Sequence, residues 1–215
     1  MDIEKIKQRI ENGREYRNIR AGAIQARAEG DEERIVEGYA TTFEEPYTLW
    51  EEDGYIVREV IDRNACEGAD MSDVIMQYNH EGRVFARQSN GTLELEADDH
   101  GLKIRANLGG TELGRQIHEE IAKRYTDKMS FAFSVAKQSY ERIEDEENRT
   151  TTIVRRILRF RKIFDVSAVS IPANDATEIS ARRCAEGVIR QILGEIEADR
   201  AAKRKKIKIY MEATK

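Results

Sequence analysis

Apolar positions along the chain change period several times, and each change marks an element. Ile3, Ile6 and Ile10 fall three and four apart among charged residues, with Asp2 as an N-cap, which predicts a short amphipathic helix ending near Gly13. From Arg20 the period shortens to two. Ile24, Ala26 and Ala28 form one run; Ile35, Glu37, Tyr39, Thr41 and Phe43 oppose Val36, Gly38 and Ala40 in the next, and Gly30-Asp31 between them reads as a hairpin turn. Further strands are expected at Tyr55–Ile61, Val74–Tyr78, Gly82–Arg87, Leu93–Ala97 and Leu102–Leu108, the last two joined by the turn tetrad Asp98-Asp99-His100-Gly101. A helix over Thr111–Lys123 is predicted from Leu113, Ile117 and Ile121, with Glu119, Glu120, Lys123 and Arg124 on its wet face. Alternation returns in Met129–Val135 and Ile153–Ile171, on either side of a polar tract, Glu141–Thr152, that reads as an exposed loop or hairpin end. After Pro172 a last helix carries Val188, Ile189, Ile192, Leu193 and Ile196. About eight short strands with few crossover helices predict an α+β fold, a mostly antiparallel β-barrel with flanking helices. Its expected parts are an N-terminal helical appendage (1–19), the barrel (20–183) and a C-terminal helix with a basic tail (184–215).

Composition narrows the function classes. Forty-one acids against 36 bases in 215 residues leave −5, too balanced for a dedicated nucleic-acid binder. Residues 197–215 hold seven Lys/Arg against three Asp/Glu, so a +4 tail follows a −9 body. Cys66 and Cys184 stand far apart, which excludes a CxxC motif, a paired zinc knuckle or a disulfide framework and fits a reducing cytoplasm. No cofactor is called for. The N-terminus lacks an apolar signal core and no apolar run nears the ~18 residues of a membrane span, so neither secretion nor a membrane partner is expected.

With three histidines, candidates for a general base are few. His80 closes the apolar run Val74–Asn79 just before Gly82, at a strand end where an imidazole can work; the plain alternative is a histidine bonded to its neighbours. His100 falls in a hairpin turn and His118 on the exposed side of a helix, and both read as solvated. Ser130 shares a strand face with Ala132 and Ser134, opposite Phe131, Phe133 and Val135. Small neighbours leave room for a substrate backbone, and equally suit a half-buried strand packed on another. Asp165 sits inside Phe164-Asp165-Val166-Ser167-Ala168, where a carboxylate needs a partner: a histidine, or Arg159 or Arg161 in a structural ion pair. A cysteine hydrolase built on Cys66 or Cys184 is the weaker chemical alternative.

The three windows in this order resemble one family, the prohead maturation proteases of tailed bacteriophages, whose barrel is similar to that of the herpesvirus capsid-assembly protease. The resemblance runs from about Ile35 to Ser180. It rests on His80-Glu81-Gly82, on Met129-Ser130-Phe131-Ala132-Phe133, and on Asp165-Val166-Ser167 through Pro172-Ala173. It implies a serine endopeptidase with Ser130 as nucleophile, His80 as general base and Asp165 as the orienting acid. The family's third position is more often glutamate, so Glu81, Asp127 and Asp175 stand as alternatives, and Ala132 replaces a common glycine. The implied substrates are the scaffold portion of the major capsid protein and the protease itself, inside the procapsid in the bacterial cytoplasm; a homodimer is left open. A non-catalytic assembly module on the same barrel is the competing function.

Overall fold

The computed structural model describes residues 13–19, 24–29, 33–52 and 54–169. The helices expected near the N-terminus and beyond Pro172 lie outside the described residues. Two sheets account for the strands. The first runs β1 (Glu15–Ile19), β10 (Lys128–Asp145), β11 (Thr150–Val169), β5 (Tyr55–Ile61) and β4 (Tyr47–Glu52), with β6 (Ile75–Tyr78) also on β11 and β7 (Glu81–Arg87) on β6. The second runs β2 (Gln25–Glu29), β3 (Glu33–Thr42), β9 (Gly101–Asn107) and β8 (Leu93–Ala97). Among the described residues one α-helix, α1 (Glu112–Ala122), packs on β2 and β3.

β11 is the spine. One edge pairs with β10 for most of its length; the other pairs in parallel first with β5, through residues 151–157, and then with β6, through 165–168. Its buried positions step by two through Ile153, Arg155 and Ile157, then by three through Phe160, Ile163 and Val166, then by two to Ala168. Steps of three are what β-bulges produce, and the β10–β11 register slips between Ala132 and Phe133 and again around Val135 and Lys137. Each extra residue turns the strand and tightens the twist, so the long hairpin coils around one core. In that core Phe131 stacks on Phe133 at 4.6 Å and Phe160 meets both edge-on, packed with Val36, Ala40, Leu102 and Ile104 of the second sheet.

Several expectations need correction. Among the described residues the sheets do not close into a hydrogen-bonded barrel: β10 pairs with β11 on one edge and, over Met129–Phe133, with β1 on the other, and β3 packs near β10 without joining its ladder. Residues 15–19, assigned to a helical appendage, form a strand. Of the two readings of Glu141–Thr152 the hairpin end holds: residues 141–145 and 150–152 extend β10 and β11 to a turn at 146–149. On α1 the buried stripe is Gly114, Ile117, His118 and Ile121, so His118 is inside while Leu113 is 40% exposed. The i, i+3, i+4, i+7 stripe falls one residue round from the one the leucine suggested.

Thr111 caps α1 by accepting the Gly114 N–H at 3.0 Å. A Cβ at Gly114 would sit 2.2 Å from the Leu108 carbonyl oxygen. Alanine normally favours a helix over glycine by about 1 kcal/mol, yet here Gly114→Ala should destabilise by about 1–3 kcal/mol through overpacking. Thermal unfolding checks the sign, at about 2–4 °C lost per kcal/mol.

Candidate active site

The β6–β7 hairpin turns on two residues, Asn79 and His80, closed by the pair Tyr78 and Glu81. Both turn residues have positive φ, 49° and 60°, the signature of a type I′ turn that matches the twist of the strands. Histidine is not a usual choice for that conformation, and β11 holds it there. The Asn79 N–H donates to the Ala168 carbonyl at 3.1 Å, and the His80 N–H donates to Ser167 Oγ at 3.1 Å. His80 is thus in the turn itself, its backbone conformation fixed from the neighbouring strand.

Its ring lands on the small-residue face of β10. Ser130 lies opposite Ser167 of β11, and Ala132 lies between Asp165 of β11 and Tyr16 of β1. The methyl of Ala132 leaves space for an imidazole, and Tyr16 meets the ring edge-on at 4.8 Å. Nδ1 of His80 is 2.5 Å from Asp165 Oδ1, and Nε2 is 2.6 Å from Ser130 Oγ. All three side chains are buried, at 2% exposure or less.

Burial pushes the Asp165 carboxyl up, but attraction to His80 and Arg14 and the hydrogen bonds from His80 and Ser167 outweigh it, and the pKa falls below the usual carboxylate value. An ionised Asp165 accepts the Nδ1 proton and leaves the Nε2 lone pair facing the Ser130 hydroxyl. That arrangement can draw off the serine proton and stabilise the imidazolium that results.

The structure therefore brings together the three residues singled out from the sequence. The remaining candidates lie elsewhere. Glu81 is exposed, Asp127 lies beside Lys128 at 3.9 Å, and His100 is exposed with its ring against Tyr39. Arg159 is not the partner of Asp165; it pairs with Glu67 at 2.7 Å. Burial pushes the Cys66 thiol up to about 12, leaving it protonated and unreactive at neutral pH. Asp175 and Cys184 lie outside the described residues. Among the described residues no group of three or more His, Cys, Asp or Glu is placed to hold a metal.

Ser167 was not singled out as a site residue. Its hydroxyl donates to Asp165 Oδ1 at 3.1 Å while accepting the His80 N–H. Period two was the available signal, since residues two apart on a strand share a face. Ser167→Ala should lower kcat about ten- to a hundred-fold with KM nearly unchanged, because it loosens one hydrogen bond to a charged group and one to the turn without touching substrate. Steady-state kinetics on a peptide substrate separates this from a folding defect.

Serine, imidazole and carboxylate in this order are the groups that serine hydrolases use for acyl transfer. Residues 22–188, which include all three, match the caudovirus prohead serine proteases, and the chain belongs to that family. It is a serine protease of phage capsid maturation, working among capsid proteins within the procapsid. No curated protein and no solved structure matches the chain. Among the described residues no helix is long and apolar enough to cross a membrane.

Proposed function

We propose that Ser130, His80 and Asp165 are the nucleophile, general base and orienting acid of an endopeptidase. Its substrates in the procapsid are the scaffold portion of the major capsid protein and its own chain. The observation that carries the reading is the unbroken series Ser130 Oγ, His80 Nε2, His80 Nδ1 and Asp165 Oδ1, with gaps of 2.6 and 2.5 Å. Ser130 attacks the scissile carbonyl while His80 takes its proton; His80 then returns the proton to the leaving amine, and water hydrolyses the ester. Asp165 holds the tautomer throughout. A kinship of the coiled sheet with the herpesvirus capsid-assembly protease belongs to the same proposal, as does recruitment into the shell by residues 184–215.

Labelling tests it. A serine-directed phosphonate should attach to Ser130, located by peptide mass spectrometry, and His80→Ala should slow the attachment by at least a hundred-fold. Labelling at another serine, or at an unchanged rate in the variant, would overturn the assignment.

A further inference from the structure

The single proton of the Ser130 hydroxyl has two acceptors in reach. Oγ is 2.6 Å from His80 Nε2, and it donates at 2.9 Å to the main-chain oxygen of Arg17. That carbonyl comes from β1, which runs antiparallel to β10 with Arg17 opposite Phe131 and Asn18 opposite Ser130. β1 precedes residue 22, where the family match begins. An extended segment paired with the nucleophile's strand, its carbonyl oxygen at the nucleophile's hydroxyl, occupies the place a substrate strand must take. While it is there Ser130 is 0% exposed and the Arg17 carbonyl competes with His80 Nε2 for its proton.

The Arg17 side chain is held with equal definition. Nε and Nη2 reach the two oxygens of Glu59 at 2.7 and 2.9 Å, a bidentate fork on a carboxylate that is 0% exposed. Tyr47 donates to the same carboxylate at 2.5 Å and Arg155 at 2.6 Å. Glu15, two residues earlier on β1, binds both arginines. Burial raises its pKa, and Arg17 and Arg155 bring it down to about 2. When β1 leaves, Arg17 and Glu15 leave together, and Glu59 keeps Arg155 and Tyr47 but loses its bidentate guanidinium. Glu59 then loses one of its two guanidinium partners while staying buried, and an incoming strand restores the fork by presenting a basic side chain at the same position.

We propose that β1 is a built-in pseudo-substrate and that Glu59 is the specificity-determining residue, selecting Arg or Lys where a substrate's carbonyl faces Ser130. The proposal rests on Ser130 being the nucleophile. Arginine is preferred to lysine because only its fork engages both carboxylate oxygens.

The full-length protein is incubated with peptides made by digesting an unrelated protein with a glutamate-specific protease, and new C-termini are read by mass spectrometry beside a Ser130→Ala blank. Ser130-dependent termini should be Arg or Lys at least about ten-fold above their frequency in the mixture. In Glu59→Gln that enrichment should fall by a similar factor. Ser130-dependent cuts without basic enrichment would overturn the specificity assignment and leave the protease standing, as would full enrichment in a folded Glu59→Gln. No Ser130-dependent cut by the wild type or by Arg17→Ala, in which β1 has lost its fork on Glu59, would overturn both, and cuts that appear only in Arg17→Ala support the pseudo-substrate; if Glu59→Gln does not fold, the wild-type and Arg17→Ala termini decide.

Discussion

Ser130→Ala should lower peptide turnover by about a million-fold while leaving the fold intact. The hydroxyl is the one atom in the site placed to attack a carbonyl with a base 2.6 Å away, and no neighbour can take over. Ser134 shares its strand face four positions further along, beyond Ala132. Ser167 bonds the opposite side of the imidazole, with its hydroxyl on Asp165 and near Nδ1. The thiol of Cys66 is buried in the core and protonated. The structural cost is small. Losing Oγ removes one hydrogen bond to His80 and one to the Arg17 carbonyl, about 1 kcal/mol each, and Ala132 shows that the strand tolerates a methyl on this face. Near-wild-type circular dichroism beside abolished turnover is the expected pair of observations, and iodoacetamide should leave the wild-type rate unchanged.

How far the chain could be read in advance depended on where its charges went. β5 falls at Tyr55–Ile61 although both its faces are largely buried and one carries Glu59, and β8 falls where alternation put it, at Leu93–Ala97, because Leu93 and Leu95 face inward and Glu94 and Glu96 face water. α1 was legible for the same reason. β1 was not: Glu-Tyr-Arg-Asn-Ile carries charge at positions that turn out to be buried, and a pattern that equates charge with solvent places such a segment outside. Arg155 is a second such case: a charged side chain on an alternating strand, it is 3% exposed and bound to Glu15, Glu59 and Gln138. Apart from Glu15 with Arg17, the ion pairs that permit such burial lie 42 to 140 positions apart in sequence, beyond any local period. His118 went unrecognised as a core residue because an ionisable side chain beside a charged pair looks exposed.

The site was legible differently. Its members are 50 and 35 positions apart, and no propensity brings them together; resemblance in motif order singled them out. Long-range pairing does the assembly. β10 and β11 set Ser130 and Asp165 two rows apart on one face, and the parallel docking of β6 on residues 165–168 swings the Asn79-His80 turn over them. Under the proposed assignment that docking suits the short side chain of Asp165: the turn bonds directly to Ala168 and Ser167, which brings the imidazole down to it.

Asp165→Asn should cost about ten-thousand-fold in kcat, for a reason distinct from loss of the nucleophile. An amide at this position presents an N–H where a carboxylate oxygen accepted one. Nδ1 must then be the acceptor, the proton moves to Nε2, and His80 offers Ser130 a donor instead of a base. Volume and burial hardly change, so KM should stay within a few-fold and the loss should fall on kcat. Titration supplies a second check. Because the folded-state pKa of Asp165 lies below its ordinary 3.8, the ionised carboxylate contributes stability above that value, and this stability is lost as pH falls through the folded pKa. The stability gap between wild type and Asp165→Asn should therefore be flat above about pH 5 and narrow below pH 3.8, as read by denaturant melts across that range. A merely space-filling Asp165 predicts neither the narrowing nor the isolated fall in kcat, since an isosteric amide fills the same space at every pH.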